Sequence, residues 1–149
     1  MNTLLYEYKV NKSVSKDISA HLTNVDGLFF PRLSSYVEIS VYSEKLAKLS
    51  DRIEIWSEEK LVGLLAYYLS KEKIYISNVS LETNFQGIGL GKAMFKHLFK
   101  VARCVGCTRI ELRVNFKNVN ATKLYFCLGF HVEIQTKDEL LLVYYLGNE

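Results

Sequence analysis

The sequence predicts a single α/β domain, a mixed sheet with helices on both faces. Short alternating segments rich in Val, Ile, Leu and Tyr recur along the chain with helical periods between them, in the order β-α-α-β-β-β-α-β-α-β-β. Nothing in the 149 residues reads as a linker: there is one proline, Pro31, and no Gly/Ser tract, repeat or low-complexity stretch. The length suits one domain with its own core, so residues 1–149 are read as one unit. Packing helices on both faces is the economical way to bury such a pattern.

Each element has its own reason. "TLLYEYKV" (3–10) alternates like a strand. "SVSKDISAHLTNV" (13–25) fits a helix capped by Ser13 or Ser15, with Ile18, Leu22 and Val25 on one face. Residues 27–35, "GLFFPRLSS", are a turn-rich connection, and 35–50 fit a second helix. "RIEIWS" and "LVGLLAYYLS" read as strands joined by the polar "EEK" turn, and 73–82 as another strand. Residues 89–105 place Leu90, Met94, Leu98, Val101 and Val105 at a helical period, and Gly106 stops that helix. "TRIELRV" (108–114) is a strand, 118–129 a short helix ended by Gly129, and "FHVEIQT" with "ELLLVYYL" a hairpin. The last strand is long and apolar; as an open edge it would invite a second copy, so a homodimer is one expectation, and an interior place in the sheet is the equal alternative.

Composition narrows the function. Hydrophobic residues make up 49% and charged residues 23%, a globular balance rather than a disordered one. The net charge of +3 is too small to point to nucleic acid and suits a small polyanion equally well. No apolar window approaches the roughly 20 residues of a membrane span. The N-terminus has no signal-peptide shape, so a cytoplasmic location is expected. Cys104-Val-Gly-Cys107 is formally a C-x-x-C, but no second ligand pair is spaced to complete a zinc site. It reads as thiols at a helix end, and no metal is expected.

The informative stretch is "NFQGIGLGKAMFKHLF" (84–99), with glycines on alternate positions just where a helix must begin. Glycine is a poor helix former, and the usual return for that cost is close approach to the backbone. A P-loop fails here, because Gln86 stands at its first glycine and Ala93 at its final Ser/Thr. A dinucleotide fingerprint fails on the last glycine spacing. What remains is Q-x-x-G-x-G at Gln86, Gly89 and Gly91, between a strand and a helix. Free N–H groups and partial positive charge at a helix start suit a pyrophosphate, and the competing reading is a glycine-rich tight turn with no ligand.

That pattern resembles the pyrophosphate loop of the GNAT acetyltransferase superfamily, [QR]-x-x-G-x-[GA]. "NVNATKLYFCLGF" (118–130) is similar to the superfamily's second signature, N-x-x-A-x-x-L-Y-x-x-x-G-F, at Asn118, Ala121, Leu124, Tyr125, Gly129 and Phe130. The two motifs stand in the right order about thirty residues apart. "LFFPRLSSYVEISVYSEKLAKL" also resembles an F-x-P-x-L-S…Y…K-L stretch of some bacterial members. The resemblance implies a mostly antiparallel sheet splayed between the fourth and fifth strands, here 73–82 and 108–114. It implies acetyl transfer from acetyl-CoA to a primary amine by direct attack in a ternary complex.

It also implies residue roles. Gln86, Gly87, Ile88, Gly89, Leu90, Gly91 and Lys92 would hold the diphosphate. Val79 and Leu81 would offer backbone groups to the pantetheine arm, and the N–H near Leu81 would polarise the thioester carbonyl. Tyr125 would hydrogen-bond the sulfur and protonate the leaving thiolate, since phenol and thiol pKa values near 10 and 8.5 are close. Asn118 would contact coenzyme A and is also suited to cap its helix. Tyr75 stands where the histone-acetylating branch carries a basic glutamate, so the general base is open among Glu82, Ser80 or Asn78 through a water, and His21. Of these, Glu82 reads as a solvated charge and His21 as a surface residue. Phe29, Phe30, Tyr36 and Tyr42 are read as lining either the acceptor site or the core. The alternative is a non-catalytic module on this fold that binds coenzyme A or a peptide.

Overall fold

Alternation and helical period place the elements in the order the sequence predicts. In the computed structural model, which describes residues 4–147, β1 (Glu7–Val10) is followed by α1 (Ser15–Val25) and α2 (Ile39–Leu49). Then come β2 (Asp51–Ser57), β3 (Lys60–Ser70) and β4 (Lys73–Leu81), α3 (Leu90–Val105), β5 (Arg109–Asn115), α4 (Val119–Leu128), β6 (His131–Gln135) and β7 (Glu139–Tyr145). The expected first strand began at residue 3, which lies outside the described residues. The second helix starts four residues later than expected, because Leu33–Ser35 form a separate 3₁₀ turn.

The sheet runs β1-β2-β3-β4-β5-β7-β6. Every neighbouring pair is antiparallel except β4 and β5. α1 and α2 cover one face through Ile18, Leu22, Leu46, Leu61 and Leu64. α3 and α4 cover the other through Phe95, Leu98, Tyr125, Ile110 and Leu142. On α3 the buried stripe passes through Phe95, Phe99 and Ala102, leaving Val105 exposed. A period of 3.6 drifts away from a strict every-fourth-residue reading over four turns.

Two expectations are corrected. β7 is interior, paired on both sides, and β6 is the edge, so the argument for a dimer through an open β7 is gone. Neither Ser13 nor Ser15 caps α1. The cap position is Val14, whose N–H donates to Asp17 Oδ2 at 2.9 Å. Ser13 is claimed instead by a buried network in which Glu54 accepts its N–H at 3.1 Å and the Trp56 indole N–H at 3.0 Å. Arg52 completes this network, donating to the Leu46 and Ser50 carbonyls at the end of α2 at 2.9 and 2.8 Å. It ties both helices to β2. Each charge has several partners, the condition under which burying such a pair is tolerable.

β4 carries the feature that shapes the site. Ala66 pairs with Asn78 but Tyr67 pairs with Ile76, so Ser77 is an extra residue in β4. The bulge reverses side-chain parity, as bulges do. Ile74 and Ile76 pack on the α3 side, whereas Asn78 and Ser80 face α1. Tyr42 of α2 holds the bulge, sharing a hydroxyl hydrogen bond of 2.6 Å with Ser77 Oγ and donating to the Ser77 carbonyl at 3.1 Å.

Candidate active site

The parallel ladder between β4 and β5 runs only from Lys73↔Arg109 to Ile76↔Leu112. Beyond the bulge the strands part, and a cleft of about 1480 Å³ opens between them. The Glu82 N–H donates back to the Val62 carbonyl of β3 at 2.9 Å. Strand alternation therefore turns the backbone groups of Leu81 and Val79 the other way, into the splay. The splay agrees with the sequence reading, and Val79 and Leu81 both line the cleft.

At the end of β4 the chain turns through Gln86, whose Nε2 donates to the Leu81 carbonyl at 2.9 Å. Gly87 and Gly89 have φ of 81° and 88°, where a Cβ is strained, and a side chain at either would meet nothing within 4 Å. Gly89 is the N-cap of α3, and the first intrahelical bond is Ala93 N–H to the Gly89 carbonyl at 3.0 Å. The earlier N–H groups have no intrahelical partner and face the cleft. Gly91 differs: it is helical, and a Cβ there would sit 3.7 Å from Leu124. Leu90 is buried beneath the turn, and Lys92 is exposed on the cleft wall. Ile88 is not on the wall. Its side chain is 54% exposed, outside the residues that line the cleft.

Tyr125 rises from α4 across the cleft from this turn. Its ring lies 5.7 Å from Phe95 and 6.1 Å from Phe130, and it is 7% exposed. Burial pushes its hydroxyl up to about 12. Asn118 occupies the N-cap of α4 but does not cap it. Its Nδ2 donates instead to the Phe30 carbonyl at 2.9 Å. This joins α4 to the segment between the first two helices, whose Phe29, Phe30 and Tyr36 line the cleft with Tyr42.

The general-base candidates fare differently. Glu82 is no free solvated charge: Lys60 lies 2.9 Å and Asn24 Nδ2 3.3 Å from its carboxylate. His21 is no surface residue. It is fully buried beneath β4, with Nε2 2.8 Å from Ser80 Oγ. Burial holds its pKa down to about 4, against a smaller upward pull from Glu82. The Leu61 carbonyl pulls upward too, but Nδ1 completes no hydrogen bond among the described residues. The signal was present, since Ile18, His21, Leu22 and Val25 fall at i, i+3, i+4 and i+7. The bulge at Ser77 and the placement of Arg113 on the cleft wall gave no sequence signal.

Cys107 is buried and Cys104 exposed, both free. Among the described residues no three His, Cys, Asp or Glu side chains are grouped to hold a metal, and no helix is long and apolar enough to cross a membrane.

Known proteins place this geometry. The chain is 31% identical over 87 residues to the spermine/spermidine N(1)-acetyltransferase of Bacillus subtilis (strain 168). That match takes in 52% of this chain and 57% of the relative's length. The PaiA N-acetyltransferase from Thermoplasma acidophilum, solved in complex with coenzyme A, superposes with a TM-score of 0.75 at 14% identity, over 94% of this chain and 99% of that one. The ribosomal-protein-S18-alanine N-acetyltransferase from Escherichia coli does so with a TM-score of 0.75 at 15% identity, over 97% of both chains. At those identities the two structures establish the fold. The acetyltransferase (GNAT) family model matches residues 28–130, more than half of the sequence, and the chain belongs to that family.

Proposed function

We propose that this protein transfers an acetyl group from acetyl-CoA to a primary amine by direct attack in a ternary complex. The observation that carries the reading is a continuous wall of open backbone donors. The Val79 main chain and the Leu81 N–H open into the splay, and the same wall continues into the free N–H groups at the start of α3. The bare Cα positions of Gly87 and Gly89 leave room for a diphosphate against those donors. Lys92 adds charge at the rim.

Bound acetyl-CoA would supply the acyl thioester and its leaving thiolate. Leu81 would aim its N–H at the thioester carbonyl, a donor worth roughly 3 kcal/mol where well placed. Holding amine and thioester together supplies more. Tyr125 would donate a hydrogen bond to the sulfur. With its pKa near 12 the phenol stays protonated through the working range, always able to donate. Complete proton transfer to a thiolate of pKa near 8.5 is uphill by about 5 kcal/mol, so Tyr125 acts chiefly as a hydrogen-bond donor. The amine must lose its proton before attack. His21 is sealed and weakly basic, and Glu82 is paired to Lys60, so the amine is expected to arrive neutral from solvent.

That neither His21 nor Glu82 is a free base is also the observation favouring a coenzyme A-binding module without turnover. Thiol release from acetyl-CoA over a panel of primary amines, beside a melting scan with coenzyme A, separates the two. The enzyme reading expects both a raised Tm and released thiol. A raised Tm with no thiol from any amine assigns the module.

A further inference from the structure

The buried polar chain behind β4 has a direction, and the direction reaches the cleft. Ser80 Oγ donates to Asn78 Oδ1 at 2.8 Å. Having given its proton there, Ser80 Oγ can only accept from His21 Nε2 at 2.8 Å, which fixes the proton on Nε2. His21 Nδ1 completes no hydrogen bond among the described residues, although the Leu61 carbonyl acts on the ring. With its oxygen held by Ser80, Asn78 is left presenting its Nδ2. That atom makes no geometric hydrogen bond among the described residues, is not among the sealed partnerless ones, and belongs to a residue on the cleft wall. Tyr42 lies near the same amide and can take one of its two protons, leaving the other.

A second observation points the same way. On the acceptor side of the cleft Arg113, Lys117 and Lys137 face two carboxylates, Asp138 and Glu139, so cations are in excess. Arg113 and Glu139 both act on Tyr75, and the Lys117 ammonium lies 5.4 Å from the Phe30 ring centroid. A polyamine carries several positive charges and, as ammonium, offers only donors. It would meet like charge and an amide nitrogen with nothing to accept its proton.

We propose that His21, acting through Ser80, holds Asn78 as a hydrogen-bond donor to the acceptor, and that the acceptor is therefore an amine with an adjacent carbonyl or carboxylate, an amino acid or a peptide N-terminus, rather than a polyamine. The proposal rests on the acyl-transfer reading above. Asn78 touches the acceptor; His21 and Ser80 are positioning residues. The low basicity of His21 means the chain keeps this polarity throughout the neutral range.

The test compares glycylglycine, propylamine and spermidine as acceptors, with kcat/KM taken per neutral amine, for the wild type, Asn78→Asp and Ser80→Ala. Tm with and without coenzyme A is measured for each. Asn78→Asp keeps the shape but replaces the donor with an acceptor. The wild type is expected to favour glycylglycine by at least about tenfold, and Asn78→Asp to lose about tenfold to a hundredfold on that substrate, the range of one hydrogen bond to a charged or carbonyl partner. Ser80→Ala, which frees the amide to turn, is expected to narrow the preference with the coenzyme A shift in Tm kept. A loss of fold alone would lower all three substrates together and leave the ratio unmoved. A wild type that prefers spermidine overturns the proposal, as do two folded variants with wild-type selectivity. So does a wild type stabilised by coenzyme A that releases thiol with none of the three. Absence of any coenzyme A shift removes the acyl-transfer reading itself.

Discussion

Asn118 and Phe30 stand 88 positions apart and meet through one hydrogen bond of 2.9 Å, the amide of the α4 cap donating to the carbonyl of the segment between the first two helices. The bond ties the segment between the first two helices, which lines the cleft, to the helix that carries Tyr125. Asn118→Ala is expected to lower stability by about 1 kcal/mol, the usual worth of such a bond, and to raise KM for the amine while coenzyme A affinity changes little. Urea unfolding and steady-state kinetics read this. A weakened coenzyme A affinity with an unchanged amine KM would assign Asn118 to the cofactor instead.

Tyr125→Phe removes one hydroxyl from a buried ring and keeps the aromatic packing on Phe95 and Phe130. Coenzyme A binding is expected to persist and kcat to fall about tenfold to a hundredfold, the loss of one hydrogen bond to a developing charge. The pH profile adds a sign. Because the folded pKa is raised to about 12, Tyr125 stays protonated, so the rate should climb toward the amine pKa with no alkaline fall below about pH 10. Unchanged turnover in Tyr125→Phe would remove this residue from the chemistry.

Much of this was legible in the sequence, and the exceptions share a cause. The glycine turn and the α4 signature are local patterns, and the structure brings them to one cleft. The strand order of the last hairpin was not readable, because β7 and β6 both alternate and only pairing with β5 decides which is inside. Nor was the bulge at Ser77, since an extra residue in a strand appears only against the partner's register. His21 does stand on the apolar stripe of α1, but the partner that lets a polar ring be buried there, Ser80, lies 59 residues away and shows only in the fold.

His21 also makes the fold acid-sensitive. Its folded pKa is near 4 and its ordinary value is 6.5, so between these the unfolded chain binds the proton that the folded chain refuses. Stability is therefore complete above about pH 6.5 and falls as pH drops toward 4, by about 3 kcal/mol in total from this group. Urea titrations at pH 7 and pH 5 should show the loss in the wild type and a flatter response in His21→Gln. Equal slopes in both would mean that the imidazole is accessible to protons in the folded state.

The most direct measurement is a calorimetric titration of coenzyme A into the folded protein, repeated with Gly89→Ala. That variant forces a Cβ onto a φ of 88° at the turn beneath the proposed diphosphate. The account predicts saturable heat with a Kd tighter than about 1 mM in the wild type, and a clear weakening in the variant. No heat at millimolar coenzyme A from protein that melts cooperatively would contradict it, because the unpaired amides between Gln86 and Lys92 would then have no ligand.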